Sequence, residues 1–388
     1  MTYEFDKIVD RRGTNSLKWD VSEGELPMWV ADMDFQVAPE IKAAILKRAE
    51  HGVFGYSIIP KEWYDAYIKW WDRRHHFRME KDWLLFVTGV IPAISSAVRR
   101  LTAVGENVLV QTPVYNQFFT SIVNNGRNVA EAPLRYDEQN YYIDFKELEQ
   151  KLADPDTTLM LLCNPHNPVG KIWDKETLAK IGELCFKHHV KVLSDEIHCD
   201  LTAPKREYVP FASASELCRK ISVTCITPTK TFNLAGIQTA AIAIPDEVLR
   251  HKMQREIMID DVAEPNAFAV DAAIAAFNEG EAWLDALRDY VDGNKRLVST
   301  FLKENLPDIK IVHAEATYLV WLNLSALQGS GKEIGGFLRE KTGLYLTDGG
   351  LYGRGGENFL RMNLACPRSV VEDGLRRMRE GIAAYKKL

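Results

Sequence analysis

The sequence contains few cysteines, and none of them are arranged as a recognisable framework. Six cysteines are scattered through 388 residues without a C-x-x-C pair. The first thirteen residues are charged throughout and have no apolar core, which argues against a signal peptide. We therefore expect reduced thiols and a cytoplasmic protein rather than a disulfide-bonded secreted one.

Long apolar runs and an excess of basic residues are also missing. The longest apolar stretches are far shorter than a membrane span, and the formal net charge is −6. These two absences argue against a membrane protein and against a nucleic-acid-binding surface. Repeats, low-complexity tracts and charged tails are absent as well. The hydrophobic share of 46% and charged share of 26% are typical of a globular protein large enough for two domains.

Two histidine pairs occur, at 75–76 and 188–189. Adjacent residues on a helix point about 100° apart, so neither pair forms a bidentate metal site by itself. We predict surface positions for both pairs and no metal site.

From about residue 83 onward, short apolar strands alternate with helical patterns. Strands are predicted at 83–87, 107–110, 158–162, 190–193, 221–226 and 240–244. This alternation is typical of the α/β class and predicts a doubly wound, mostly parallel sheet with helices on both faces.

The pattern changes after about residue 280. A single long helix is predicted over 281–305, followed by strands at 318–324 and 359–364 and a terminal helix. We predict a smaller α+β domain built from the N- and C-terminal segments. The expected division is residues 1–48 for the N-terminal segment joining the small domain, 49–282 for the large domain and 283–388 for the C-terminal small domain.

Polar residues follow the predicted strands one after another. They are Gly89, Tyr115, Asn167, Asp195 and Lys230. In an open parallel sheet, ligands bind beyond the carboxyl ends of the strands, so these side chains are expected to converge. A lysine between an apolar strand and a glycine-containing loop can lose hydration, which lowers its pKa and makes its amine a nucleophile.

These residue types are the ones that pyridoxal 5′-phosphate (PLP) requires. Lys230 would form a Schiff base with the aldehyde, and Asp195 would keep the pyridine nitrogen protonated. Asn167 could donate a hydrogen bond to the ring 3-oxygen, and Tyr115 could stack on the ring and contact the substrate. As alternatives, Asn167 is a turn residue between two prolines and Tyr115 is a packing residue.

Two further groups complete the predicted site. Backbone amides of Gly89, Val90 and Ile91, at a helix start, would hold the phosphate. Arg361 is a charged residue within an otherwise apolar strand. Its planar guanidinium is suited to bind a substrate carboxylate through two hydrogen bonds.

Two other nucleotide-binding motifs do not fit. A Walker A motif needs glycine where Pro165 stands and serine or threonine where Ile172 stands. The glycine-rich stretch 349–356 does not follow the first strand of a βαβ unit, so it is not a dinucleotide fingerprint.

At this point the chain resembles the fold-type I PLP enzymes of the aspartate aminotransferase superfamily, and within them the cystathionine β-lyase or cysteine-S-conjugate C–S lyase branch. The resemblance is carried by W-V-A-D-M-D-F at 29–35, T-G-V-I-P at 88–92, N-P-H-N-P-V-G at 164–170, S-D-E-I-H at 194–198, T-K-T-F-N-L-A-G at 229–236 and R-M-N-L-A-C-P-R at 361–368.

The resemblance implies features that spacing does not show. It implies a homodimer with the active site at the subunit interface, where Tyr56 would reach the neighbour's phosphate. Many aminotransferases have an arginine eight residues after the lysine, where this chain has Gln238, and a tyrosine three residues after the aspartate, where it has His198. Both changes suit the lyase branch, so His198, Thr227 and Thr229 are expected as cofactor contacts.

The expected function is a PLP-dependent carbon–sulfur β-lyase. It would cleave cystathionine or a related cysteine S-conjugate by β-elimination to pyruvate, ammonia and a thiol, with Lys230 as the general base. Two alternatives stay open: an aminotransferase of the same superfamily, and a regulatory PLP-binding protein without turnover.

Overall fold

A computed structural model describes residues 3–388 of the chain. The strands are β1 Leu26–Pro27, β2 Leu84–Val87, β3 Asn107–Val110, β4 Asn128–Glu131, β5 Arg135–Tyr136, β6 Tyr141–Tyr142, β7 Thr157–Cys163, β8 Lys191–Asp195, β9 Ser222–Ile226, β10 Ala240–Ala243, β11 Lys310–Ile311, β12 Leu319–Asn323, β13 Leu344–Tyr345, β14 Thr347–Asp348 and β15 Phe359–Asn363.

The α-helices are α1 Pro39–His51, α2 Lys61–His75, α3 Val90–Leu101, α4 Gln117–Val123, α5 Phe145–Leu152, α6 Lys175–Lys187, α7 Phe211–Ala214, α8 Glu216–Ile221, α9 Pro228–Thr231, α10 Glu247–Ile259, α11 Ala269–Glu279, α12 Glu281–Asn305, α13 Gly331–Thr342 and α14 Arg368–Tyr385. Short 3₁₀ helices lie at Lys81–Trp83, Ala235–Ile237 and Gly349–Tyr352. Among the helices of residues 3–388, none combines the length and apolar character needed to cross a bilayer.

The central sheet has seven strands in the order β2-β10-β9-β8-β7-β3-β4. Strand β10 is antiparallel to both of its neighbours, and the remaining pairs are parallel. The prediction of a mostly parallel, doubly wound α/β sheet is therefore confirmed. The polar ends of β7, β8 and β9 lie side by side at one edge, where the site forms.

Both faces of this sheet are buried, which explains why its strands are continuous apolar runs. In β7, Leu159 and Leu161 belong to the core that contains α3, whereas Met160 and Leu162 belong to the core that contains α6. Successive side chains of a strand point to opposite faces, so a sheet covered by helices on both sides needs apolar residues at every position.

A second, smaller sheet is antiparallel, with the strand order β11-β12-β15-β14. It shares a core with α12, α13 and α14. The N-terminal strand β1 pairs in parallel with β13, where Leu26 lies opposite Leu344. The backbone amide of Asn363 also donates a hydrogen bond to the Met28 carbonyl. The N-terminal segment thus packs on the C-terminal part, while the exact domain boundaries stay a prediction.

One expectation about the surface was wrong. His75 is buried with 9% of its surface exposed, and its Nε2 atom lies 2.9 Å from Asp200 Oδ1. It is the last residue of α2, whose aromatic face packs inward, and Trp71 lies one turn before it. His76 begins the next turn with a positive φ of 50° and is exposed. The two adjacent histidines therefore face different environments.

Candidate active site

The ends of three parallel strands bring the predicted residues together. Cys163, the last residue of β7, lies opposite Asp195, the last residue of β8, and Asp195 lies opposite Cys225 of β9. The loop after β7 carries Asn167, and the single helical turn α9 after β9 carries Lys230. The sheet register therefore places the acid between the amide and the lysine.

Lys230 is half-buried, and its amine donates a hydrogen bond to the Ala31 carbonyl over 2.7 Å. Loss of hydration, followed by repulsion from Arg361, lowers its pKa to about 8, although Asp32 and Asp195 oppose the shift. Thr227 begins the turn: its hydroxyl accepts from the Thr229 amide at 3.1 Å. A lysine amine is therefore held at a strand end with a substantial neutral fraction near neutral pH.

Asp195 is 3% exposed, and burial raises its pKa to about 7, although the Ile197 amide and Lys230 lower it. Within the described chain, the one hydrogen bond to its carboxylate comes from the Ile197 amide at 3.3 Å. A buried carboxylate with so few donors is costly unless a cation faces it. A protonated pyridine nitrogen is such a cation, so Asp195 fits the predicted cofactor.

Arg361 projects from β15 of the small sheet and is 5% exposed. Its Nη1 atom donates to Asn167 Oδ1 over 3.2 Å, and Nη2 donates to the Trp29 carbonyl over 2.9 Å. Its Nε atom is buried and has no hydrogen-bond partner within residues 3–388. Of five N–H groups, several remain free, which fits the capture of a carboxylate by the guanidinium fork.

The predicted phosphate end is built from the start of α3. Gly89 precedes the helix and offers no side-chain cap, so the amides of the first turn, which includes Val90 and Ile91, stay available for an anion. Thr227 is less available than expected, because its hydroxyl donates to the Thr239 carbonyl over 2.6 Å. Thr229 lies next to it, with the two hydroxyl oxygens 3.0 Å apart.

Tyr115 and His198 flank the same region. Burial raises the pKa of Tyr115 to about 12, and the nearby charge of Arg361 opposes this shift. His198 is 2% exposed; burial, then the charges of Lys230 and Arg361, hold its pKa below the usual range. Its Nδ1 atom has no partner within the described residues. A neutral imidazole with an unused nitrogen can hydrogen-bond a cofactor oxygen.

Tyr56 is not brought to the site of its own chain. It lies in the segment between α1 and α2, and its side chain is fully exposed. The prediction that it reaches a neighbouring subunit stays a prediction.

Comparison with known families identifies the architecture. The profile of the family described as aminotransferase class I and II matches residues 25–378. The chain belongs to this family. The seven-stranded sheet belongs to the larger part of an aminotransferase-type fold, and the four-stranded sheet belongs to the smaller part. The resemblance stated from the motifs is confirmed.

The relatives that the chain resembles include carbon–sulfur lyases. It is 43% identical to cystathionine beta-lyase PatB of Bacillus subtilis (strain 168), over 98% of this chain and 100% of that protein. It is 32% identical to protein MalY of Escherichia coli (strain K12), over 99% of this chain and 100% of that protein. The crystal structure of cystalysin from Treponema denticola, which contains a pyridoxal 5′-phosphate cofactor, superposes with a TM-score of 0.96 at 33% identity, over 99% of this chain and 100% of that one.

One contributor to the site of this family member was missed by the sequence reasoning. The Ala31 carbonyl accepts hydrogen bonds from both Lys230 Nζ and the Tyr318 hydroxyl, at 2.7 and 2.9 Å. A backbone acceptor has no residue-type signature, and alanine is uninformative. The only available signal was the acidic and aromatic character of the 29–35 run, which is compatible with packing onto a core and with lining a pocket.

The asparagine clamps on that run were also missed. Asn233 Nδ2 donates to the Met33 and Phe35 carbonyls, and Asn363 Nδ2 donates to the Val30 and Asp32 carbonyls. One clamp belongs to the large part of the molecule and the other to the small sheet. Residues 29–35 are therefore held between the two.

Proposed function

We propose that the protein is a PLP-dependent carbon–sulfur β-lyase that cleaves cystathionine or a related cysteine S-conjugate to pyruvate, ammonia and a thiol. The observation that carries the proposal is the convergence of Lys230, Asp195 and Arg361 in a chain 43% identical to a cystathionine beta-lyase over nearly its whole length. The family match supports an amino-acid substrate. The similarity to a cystathionine beta-lyase supports the narrower assignment to carbon–sulfur bond cleavage.

The cofactor, when bound, would supply an aldehyde for covalent attachment and an electron-accepting ring that stabilises negative charge on the substrate α-carbon. Lys230 would be the attachment point, because partial loss of hydration lowers the pKa of its amine to about 8. With the cofactor and substrate in place, the Lys230 amine would take the proton from the substrate α-carbon as general base.

Asp195 would hold the cofactor ring through its pyridine nitrogen. The carboxylate is buried at the end of β8 and gains a cationic partner when the ring is present, which pulls its pKa back down. Asn167 and Tyr115 border the ring position from the two neighbouring loops. The charge of Asp195 would keep the ring nitrogen protonated, which the electron-accepting role requires.

Arg361 orients the substrate by its carboxylate. Its guanidinium is fixed by Asn167 Oδ1 and the Trp29 carbonyl, so the remaining N–H groups point in a defined direction. Holding the carboxylate there fixes which bond at the α-carbon faces Lys230.

The phosphate is assigned to the first turn of α3, through the amides of Gly89, Val90 and Ile91, with the hydroxyls of Thr227 and Thr229 at its side. Because Thr227 already donates to the Thr239 carbonyl, Thr229 is the better placed donor of the two. His198 offers its unpaired Nδ1 atom to the ring.

The protein is further proposed to act as a homodimer in which Tyr56 of the partner subunit contacts the phosphate. Support comes from the segment between α1 and α2, where Val53, Phe54, Tyr56 and Ile58 are 64%, 56%, 100% and 80% exposed. Such a run of exposed apolar side chains fits a surface covered by a second copy. The division at residues 48 and 282 is proposed for the small and large domains of each subunit.

A cytoplasmic location is proposed on the state of the thiols. All six cysteines are free and buried in the described chain. Unpaired thiols at every cysteine position suit a reducing compartment.

The test is to mix the purified holoenzyme with cystathionine and measure pyruvate and free thiol. Stoichiometric release of both products is expected, and Lys230→Ala provides the inactive control. Product formation no greater than that of the control would refute the lyase assignment. Faster amino transfer to an added keto acid than thiol release would instead identify an aminotransferase.

A further inference from the structure

A buried carboxylate lies next to the turn that carries Lys230. Asp200 is 2% exposed and follows β8 by five residues, in the same segment as Asp195 and His198. Its Oδ2 atom accepts a hydrogen bond from the Thr231 hydroxyl over 2.9 Å. Thr231 is fully buried and comes directly after Lys230 in the α9 turn.

The other carboxylate oxygen is held by α2. Asp200 Oδ1 accepts from Trp70 Nε1 and from His75 Nε2, each over 2.9 Å. Burial alone would raise the pKa of Asp200, but the bond and charge of His75, the charge of Arg74 and the bond from Thr231 hold it below its usual value. The group is therefore an anion with donors from two separate elements.

The same atoms could be taken for a metal site, since ligand atoms of His75, Cys199 and Asp200 lie within 4.8 Å of one another. The hydrogen bonds argue otherwise. Three donors already occupy most of the roughly four acceptor sites of the carboxylate, and His75 directs Nε2 at Asp200 as a donor rather than as a ligand. Hydrogen bonding alone therefore accounts for the pairing of His75 with Asp200.

We propose that Asp200 is the positioning residue for Lys230: through Thr231, it anchors the lysine-bearing turn to the segment that carries Asp195. The turn α9 has only four residues, and its start is fixed by Thr227. The Thr231 hydroxyl fixes its other end. Asp200 thereby sets the distance between the amine and the acid, two groups that must face one cofactor.

This role rests on the proposed function, but it predicts a property of the protein without cofactor. The charged and titratable groups that face Lys230 are Arg361, Asp32, Asp195 and His198, and Asp200 is not among the charges that act on it. Releasing the turn lets the amine regain water and move away from Arg361, which raises its pKa. A direct electrostatic role for Asp200 predicts the opposite, because removing a negative charge disfavours an ammonium ion.

The experiment measures the pH dependence of acetylation of Lys230 by acetic anhydride in the cofactor-free full chain, quantified by peptide mass spectrometry. We expect a midpoint near pH 8 for the wild type and a rise of about one unit for Asp200→Asn and Thr231→Val. Thr231→Ser keeps the hydroxyl and should restore the wild-type midpoint. The matched control is Thr224→Val, which removes a buried hydroxyl without a partner in the described chain.

In the holoenzyme, kcat for thiol release should fall roughly tenfold in Asp200→Asn and Thr231→Val, with KM changed less than about twofold. If either variant fails to fold by thermal melting, Trp70→Phe removes one donor from the α2 side and should shift the Lys230 midpoint in the same direction. Midpoints equal to that of Thr224→Val, or lower than the wild type, would overturn the positioning role. That result is independent of whether the enzyme cleaves cystathionine.

Discussion

Arg361 and Asn167 are joined by a hydrogen bond of 3.2 Å, from the guanidinium Nη1 to the amide Oδ1. One residue belongs to the small antiparallel sheet and the other to the loop after β7 of the large sheet. The residue proposed to hold the substrate carboxylate and one that borders the cofactor ring are therefore oriented by each other. We therefore expect a substitution at either residue to affect both substrate binding and cofactor binding.

Replacing Arg361 by lysine should damage substrate binding despite preserving the charge. A lysine cannot donate to Asn167, the Trp29 carbonyl and a carboxylate from one planar fork. We expect kcat/KM for cystathionine to fall by about 100-fold, or about 2.7 kcal/mol, as measured by steady-state thiol release. Arg354→Lys is the matched control, because Arg354 is exposed in the 349–356 loop. Equal losses in the two variants would contradict the assigned role.

The rate at which the cofactor-free protein captures PLP should depend on pH. Only the neutral amine attacks the aldehyde, so the rate should rise about tenfold per pH unit below pH 8 and level off above it. Stopped-flow absorbance measures this rate. Removing the charge of Arg361 by Arg361→Gln should move the midpoint upward. A wild-type midpoint close to that of an ordinary lysine would show that the amine is hydrated.

We expect Lys230 to lower the free energy of unfolding of the cofactor-free protein at neutral and acidic pH. Because its folded pKa of about 8 lies below the ordinary 10.5, the unfolded chain binds more protons between these values, and stability rises with pH across that window. Lys230→Met should raise the free energy of unfolding by about 1 to 2 kcal/mol below pH 8, with no gain above pH 10.5. Urea unfolding at several pH values checks this.

A matched lysine separates stability from function. Burial also lowers the pKa of Lys295 in α12 to about 8, while Asp292 opposes the shift, and its amine lies 3.2 Å from the Ala316 carbonyl. Lys295→Met should stabilise the protein to a similar extent and leave cofactor capture intact, whereas Lys230→Met should abolish covalent capture. Loss of capture in both variants would mean that the effect is not specific to the site.

Asn233 should be required for both stability and activity. It has a positive φ of 57° and holds residues 29–35 through three hydrogen bonds, including a reciprocal pair with Met33. Asn233→Gly tolerates the φ but loses the bonds, so we expect a loss of about 2 kcal/mol in unfolding free energy and a lower kcat. Asn233→Ala should lose more, because alanine also opposes the backbone conformation. If both variants keep the wild-type kcat, the Ala31 carbonyl does not hold Lys230 in the reaction.

Much of the fold could be predicted because the strands of the central sheet are buried on both faces. The run Leu159–Leu162 identifies β7, and the long amphipathic pattern identifies α12 over 281–305 exactly as observed. The edge strand β4 was not predicted, because Asn128 and Glu131 give it a polar character. Edge strands pair on one side only and do not need an apolar run.

The site could be predicted only where a side chain has a signature chemistry. Lys230 and Asp195 are such residues, and the register of β7, β8 and β9 places them together. The contact between the Ala31 carbonyl and Lys230, and the contact between His75 and Asp200, each join residues more than a hundred positions apart in the chain. Local patterns carry no record of such contacts, so these features required the structure.

The clamp on residues 29–35 has a consequence for how the protein matures. The side-chain amide of Asn363 donates hydrogen bonds to the carbonyls of Val30 and Asp32. Asn363 is synthesised more than 300 residues after them. During translation, the segment around Ala31 must therefore wait, without its final anchor, until residue 363 has left the ribosome. A nascent chain can therefore form the central sheet before the Ala31 carbonyl is fixed in its final position next to Lys230.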